Sequence, residues 1–148
     1  MDVLYLFHRY RDDVYRLAVN YTRSREEAED VCQTVFLKLL EADNITPGKE
    51  RAWLMQVTAN TCRDILRSAW WKRTVPLETL GEVPQAPMDE TVQLLRKLPP
   101  NYRVVLYLHY YEQYTTQEIA GLLKIPRGTV STRLRRGRER LKTMLKEG

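Results

Sequence analysis

The chain has 148 residues, 43% of them hydrophobic and 29% charged, with a formal net charge of +5; this suits one domain or two small ones and leaves no apolar run long enough to cross a bilayer. Cys32 and Cys62 are isolated, and His8 and His109 have no cysteine or carboxylate cluster around them, so no metal site, cofactor site or catalytic constellation is predicted. Six glycines, and few runs of strict alternation, predict an all-α chain.

In chain order, residues 1–73 read as three helices. The first spans about Asp2–Tyr21, with Leu4, Phe7, Val14, Leu17, Ala18 and Tyr21 on one side. Its early charges, in MDVLYLFHRYRDD, speak against a signal peptide, and the two lone cysteines fit a reducing cytoplasm as small buried hydrophobes. The second helix opens at Ser24, which forms a Ser-x-x-Glu signal with Glu27, and places Ala28, Val31, Cys32, Val35, Phe36 and Leu39 on one stripe. Glu26, Glu27, Glu29 and Asp30 in its first turns suit the positive end of the helix dipole. A loop at about Asp43–Lys49 precedes a third helix through Trp53, Leu54, Val57, Thr61, Cys62, Ile65 and Leu66.

Residues 74–89, TVPLETLGEVPQAPMD, hold three prolines, one glycine and no basic residue, which predicts a linker. Fully extended, such a segment reaches about 50 Å. Residues 90–148 form a second helical domain: Glu90–Lys97, a Leu98-Pro99-Pro100 break, a helix from about Asn101 to Tyr110, and then TTQEIAGLLKIPRGTVSTRLRRGRERL. In that last stretch Thr115 and Glu118 make a Thr-x-x-Glu capping box, and Ile119, Ala120, Leu122 and Leu123 give a short helix a buried side. Lys124-Ile125-Pro126 breaks it. A second helix from about Arg127 carries Val130, Leu134, Leu141 and Leu145 at helical spacing and leaves its other face polar and basic. This is the form of a helix-turn-helix, which sets side chains into a DNA major groove. Residues 124–142 alone carry +7, eight basic residues against Glu139, which leaves the rest of the chain at about −2. Charge so localised fits an element that tracks phosphates.

With these motifs in place, the chain resembles an extracytoplasmic-function sigma factor of the sigma-70 family along nearly its whole length. EEAEDVCQTVFLKLL at 26–40 is similar to the helix that docks on the clamp of RNA polymerase. RAWLMQVTANTCRDILR at 51–67 resembles the helix that reads the melted minus-ten element, and residues 98–141 resemble the region that reads the minus-thirty-five element.

The resemblance implies a role for each group of residues. Asp30, Gln33, Thr34 and Leu37, off the core stripe of the second helix, would meet core polymerase; Thr34 stands where the family commonly has glutamate. Asn60 would line a pocket for a base flipped from the non-template strand, its amide offering donors and an acceptor. Arg63, Arg67, Lys72 and Arg73 would follow the strand beside Trp70 and Trp71. Ser131, Thr132, Arg135 and Arg136 match positions that face the minus-thirty-five groove, while Arg127, Arg133, Arg138 and Arg140 suit phosphates. Lys124 stands where glycine or asparagine usually takes positive φ, and Pro126 replaces the usual hydroxyl N-cap.

The function implied is a non-catalytic subunit that binds core RNA polymerase and promoter DNA in the cytoplasm, takes an anti-sigma factor as a further partner, and inserts in no membrane. The competing reading is a stand-alone helix-turn-helix regulator acting as a dimer. It accounts for the C-terminal half but gives no reason for the acidic second helix or for Asn60 in its context.

Overall fold

The structure, a computed structural model, describes the backbone of residues 2–22, 24–68 and 95–147. The linker 74–89 and most of the predicted Glu90–Lys97 helix lie outside the described residues. Among those described there are six helices and no strand: α1 Val3–Thr22, α2 Arg25–Glu41, α3 Glu50–Ser68, α4 Pro100–Tyr110, α5 Thr116–Leu123 and α6 Arg127–Glu147. They fall into two compact units, Met1–Val83 and Pro84–Gly148.

In the first unit α1 and α2 run antiparallel. The Phe7 ring meets Phe36 at 4.4 Å, while Tyr15, further along α1, lies beside Arg25 and Glu29 at the start of α2. Ser24 caps α2 by accepting from the Glu27 N–H at 3.3 Å. Leu17, Ala18, Ala28, Val31, Leu39, Met55, Ala59 and Cys62 are essentially inaccessible and form the core of the three-helix unit. Buried hydroxyls return their protons to the helix backbone, Thr22 to the Ala18 carbonyl and Thr58 to the Leu54 carbonyl, so this core holds them at little cost. Polar ties fix α3 against both neighbours: Arg51 Nε donates to Asp13 Oδ2 at 3.1 Å, and Lys38 Nζ to Thr61 Oγ1 at 3.3 Å. The turn into α3 uses Gly48, whose φ is 85° and whose N–H donates to the Glu50 carboxylate.

One expectation for α1 is corrected. Leu4 is 64% exposed, and Leu6 is buried in its place. The inner stripe continues from Phe7 back by four residues to Val3, which is half-buried, and the 100° step to the next residue turns Leu4 outward.

In the second unit α4 begins at Pro100, with the Pro99 carbonyl accepting from the Tyr102 and Arg103 N–H groups. Proline suits that first turn because the missing N–H has no helical partner there. Val104 through Leu108 are all buried. So is Arg103, whose guanidinium donates to the Leu98 carbonyl at 2.7 Å and pins the turn Leu95–Leu98 onto α4. Between α4 and α5, Tyr107 donates to Glu112 at 2.7 Å and the Tyr114 N–H to the Leu108 carbonyl at 2.9 Å. A second correction falls on α6. Val130 and Leu134 are buried as expected, but Leu145 is 56% exposed. At 1.5 Å per residue, the 21 residues of α6 outrun the 11 of α4.

Candidate nucleic-acid interface

The sequence Thr115–Glu118 closes both halves of its box: the Glu118 N–H donates to Thr115 Oγ1 at 3.1 Å, and the Thr115 N–H to Glu118 Oε1 at 2.9 Å. Helix α5 then ends at Lys124, with φ 56° and ψ 46°, the left-handed conformation expected at that turn. The Lys124 and Ile125 N–H groups both donate to the Ala120 carbonyl. Pro126 has no hydroxyl to offer α6, but its carbonyl accepts from the Thr129 and Val130 N–H groups at 3.0 and 3.2 Å.

Ile119, Leu122, Leu123, Val130 and Leu134 are buried between the two helices and α4. This fixes the rotation of α6 about its axis and so decides which residues face out. Arg127, Ser131, Arg135, Arg136 and Arg138 are exposed, and Thr132 and Arg133 half-buried. Arg136 and Arg133, with Thr132, line an open groove of about 380 Å³ against Asn101 and Tyr102 at the start of α4. Two arginines are held by tyrosines of α4. Arg138 Nη1 donates to the Tyr110 hydroxyl at 3.2 Å, and the Arg140 guanidinium lies over the Tyr102 ring at 4.7 Å. Neither tyrosine is singled out in the sequence, since what ties each to the basic helix is a contact between helices.

Gly137, inside the inner stripe of α6, lets that helix approach α4. A Cβ there would stand 2.8 Å from Leu106 Cδ1 and 3.3 Å from Tyr102 Cβ. The sequence shows this glycine only as a gap between Leu134 and Leu141.

In the first unit Asp30 and Gln33 are exposed, Thr34 is half-buried, and Leu37 is 57% exposed. Leu40, one turn on and 53% exposed, extends that face; it closes the 26–40 motif but is not singled out in the sequence. Asn60 is half-buried on α3 and accepts at Oδ1 from Gln56 Nε2 at 3.1 Å and from the Arg63 guanidinium. Gln56, Asn60, Arg63 and Arg67 follow at i, i+4, i+7 and i+11, one stripe of the helix. The Arg67 side chain, Lys72 and Arg73 lie outside the described residues, as do Trp70 and Trp71.

Residues 6–72 match the family described as Sigma-70 region 2, and residues 88–141 the one described as Sigma-70, region 4. The chain belongs to the sigma-70 family. Its relatives place it among the extracytoplasmic-function (ECF) sigma factors. It is 30% identical to the ECF RNA polymerase sigma factor SigE of Mycolicibacterium smegmatis over 95% of the chain. With SigW and SigM of Bacillus subtilis, both ECF sigma factors, identity is 28% over 93% and 25% over 97% of the chain. It spans 60% of the length of SigE, 86% of SigW and 94% of SigM. Its fold is also that of the sigma factor RpoE of Bartonella quintana, solved in complex with the anti-sigma factor NepR, with a TM-score of 0.71, 19% identity, and coverage of 95% of this chain and 94% of that one.

Sigma-70 proteins are non-enzymatic factors of promoter-directed transcription initiation, and this sigma factor has the helices of both regions. Among its described residues no helix is long and apolar enough to cross a membrane, and no group of three or more His, Cys, Asp or Glu is placed to hold a metal ion.

Proposed function

We propose that this sigma factor divides promoter recognition between its two helical parts. Residues 1–73 bind core RNA polymerase through the exposed face of α2, with Asp30, Gln33, Thr34 and Leu37, and capture the melted minus-ten strand along α3, with Asn60, Arg63, Arg67, Lys72 and Arg73. Residues 90–148 dock α6 in the major groove of the minus-thirty-five element, Arg135 and Arg136 with Ser131 and Thr132 reading bases, and Arg127, Arg133 and Arg138 gripping phosphates. Residues 74–89 join them. The chain works in the cytoplasm, where polymerase and chromosome are, and an anti-sigma factor holds it in check, as the RpoE–NepR complex suggests by analogy.

The observation that carries this reading is the fixed rotation of α6. Burial of Val130 and Leu134 turns a row of exposed arginines outward from a capped helix-turn-helix. In vitro transcription tests it. Core polymerase plus this chain, offered a promoter library, is expected to yield transcripts from a subset sharing two elements. A chain that binds duplex DNA as a dimer and neither pulls down core polymerase nor supports transcription would be a stand-alone regulator instead.

A further inference from the structure

We infer that Asn60 is locked as a hydrogen-bond donor toward DNA, and that Gln56 and Arg63 are the positioning residues that lock it. A side-chain amide carries an acceptor on one side and two donor hydrogens on the other. On α3 the acceptor side is already engaged twice, by Gln56 Nε2 at 3.1 Å and by the Arg63 guanidinium. A guanidinium has no acceptor, so only the amide oxygen can face it, whichever way the amide is drawn. Turning Asn60 over would set its NH2 group against the Arg63 guanidinium, and against Gln56 Nε2 unless that amide turned as well. The amide therefore has one favourable orientation.

Asn60 Nδ2 has no partner among the described residues, and the side chain is half-exposed. All three residues stand on one stripe of a single helix, so no loop has to move for the arrangement to hold. Resting on the reading that Asn60 meets an unstacked base, this makes the contact atom-specific. The captured base is recognised by an acceptor, a carbonyl oxygen or an unprotonated ring nitrogen, and an edge that offers only N–H in its place is refused.

The test uses holoenzyme assembled from the full chain and core polymerase, on a premelted template whose minus-ten bubble has been optimised from a randomised library. Each bubble base is replaced in turn by an analogue lacking one ring or carbonyl acceptor, or by one lacking an exocyclic amino group. For the wild type, one position is expected where deleting an acceptor weakens binding on the order of tenfold, while deleting an amino group there does not. That ratio should vanish in Asn60→Ala. Gln56→Lys, which can only donate, should keep it. Gln56→Glu combined with Arg63→Ala, which leaves only an acceptor beside the amide, should bring it to about one, because the amide is then drawn round. Overall affinity changes from the added charges cancel in the ratio, and Gln56→Ala, with neither group, should fall between. A wild-type ratio in Gln56→Glu/Arg63→Ala, with the ratio lost in Asn60→Ala, overturns the locked orientation alone. No change of any ratio in Asn60→Ala overturns the base contact and the inference with it.

Discussion

Arg136 and Arg138, two residues apart on α6, are both exposed arginines, yet their surroundings differ. Arg138 is tied to the Tyr110 hydroxyl at the flank of the helix, a placement suited to a phosphate at the rim of the groove. Arg136 lies further round, lining the open groove against Asn101 and Tyr102. With a bidentate base contact at stake, Arg136→Ala should cost about 1–3 kcal/mol on the preferred minus-thirty-five sequence and relax selection at one base pair. Arg138→Ala should weaken all sequences alike and lower the slope of log affinity against log salt by about one unit. Titrations of both variants on matched and mismatched duplexes, at several salt concentrations, separate these outcomes. Equal losses on every sequence would remove the base-reading role from Arg136. Lys124 makes a different point about single residues. Its φ of 56° costs an L-residue about 1–2 kcal/mol, and among the described residues the Lys124 side chain makes no hydrogen bond in return. Lys124→Gly should therefore stabilise the chain by about 0.5–1 kcal/mol, after the larger chain entropy of glycine is deducted, seen as a raised urea midpoint.

Elements were legible in the sequence where local chemistry sets them. Ser24 and Thr115 mark helix starts because their hydroxyls satisfy N–H groups within three residues. Lys124-Ile125-Pro126 marks a stop for equally local reasons. The extent of each inner face was less legible: Leu4 and Leu145 both keep helical spacing, yet Leu4 is turned outward while Leu6 is buried, and Leu145 is 56% exposed. Within the candidate site, the outward-facing row from Arg127 to Arg138 could be read directly. The supports behind it could not, because Gln56, Tyr110 and Gly137 matter through contacts with residues in other turns or helices. Gly137 gives this a measurable form. Valine there would press two methyls on fully buried Leu106 and on Tyr102, and β-branching adds strain within the helix. Gly137→Val should destabilise the chain by about 1–3 kcal/mol, and, by shifting α6 on α4, weaken upstream duplex binding without touching any DNA-facing group. A denaturation midpoint equal to the wild type would show that α4 and α6 can separate more readily than this packing implies.

At the scale of the molecule, the basic charge and the thiols are segregated along the chain. The +7 of residues 124–142 sits in the second unit, while both cysteines lie in the first. Burial pushes the Cys32 thiol up from 9.0 to about 11, with Glu29 adding to the effect and Arg11 opposing it. Cys62, fully buried, is also pushed up by burial. A thiol raised in this way holds its proton in the native state after the unfolded chain has lost its own. Below pH 9 both states carry the proton, and the stability these positions contribute is complete. Between pH 9 and about 11 only the unfolded state ionises at Cys32, so stability must fall as pH rises through that window. Urea midpoints at pH 7, 9 and 10.5 should therefore decline, more steeply above pH 9. Tyrosines and lysines also titrate in alkali, so the comparison that isolates the thiols is Cys32→Ala/Cys62→Ala, whose midpoint should decline less steeply across the same window. At pH 7 the same burial should make both thiols slow to react with alkylating reagents until urea unfolds the chain. A double variant whose alkaline decline parallels the wild type would show that the thiols ionise as easily inside this unit as in water, and that its core admits solvent at α2 and α3.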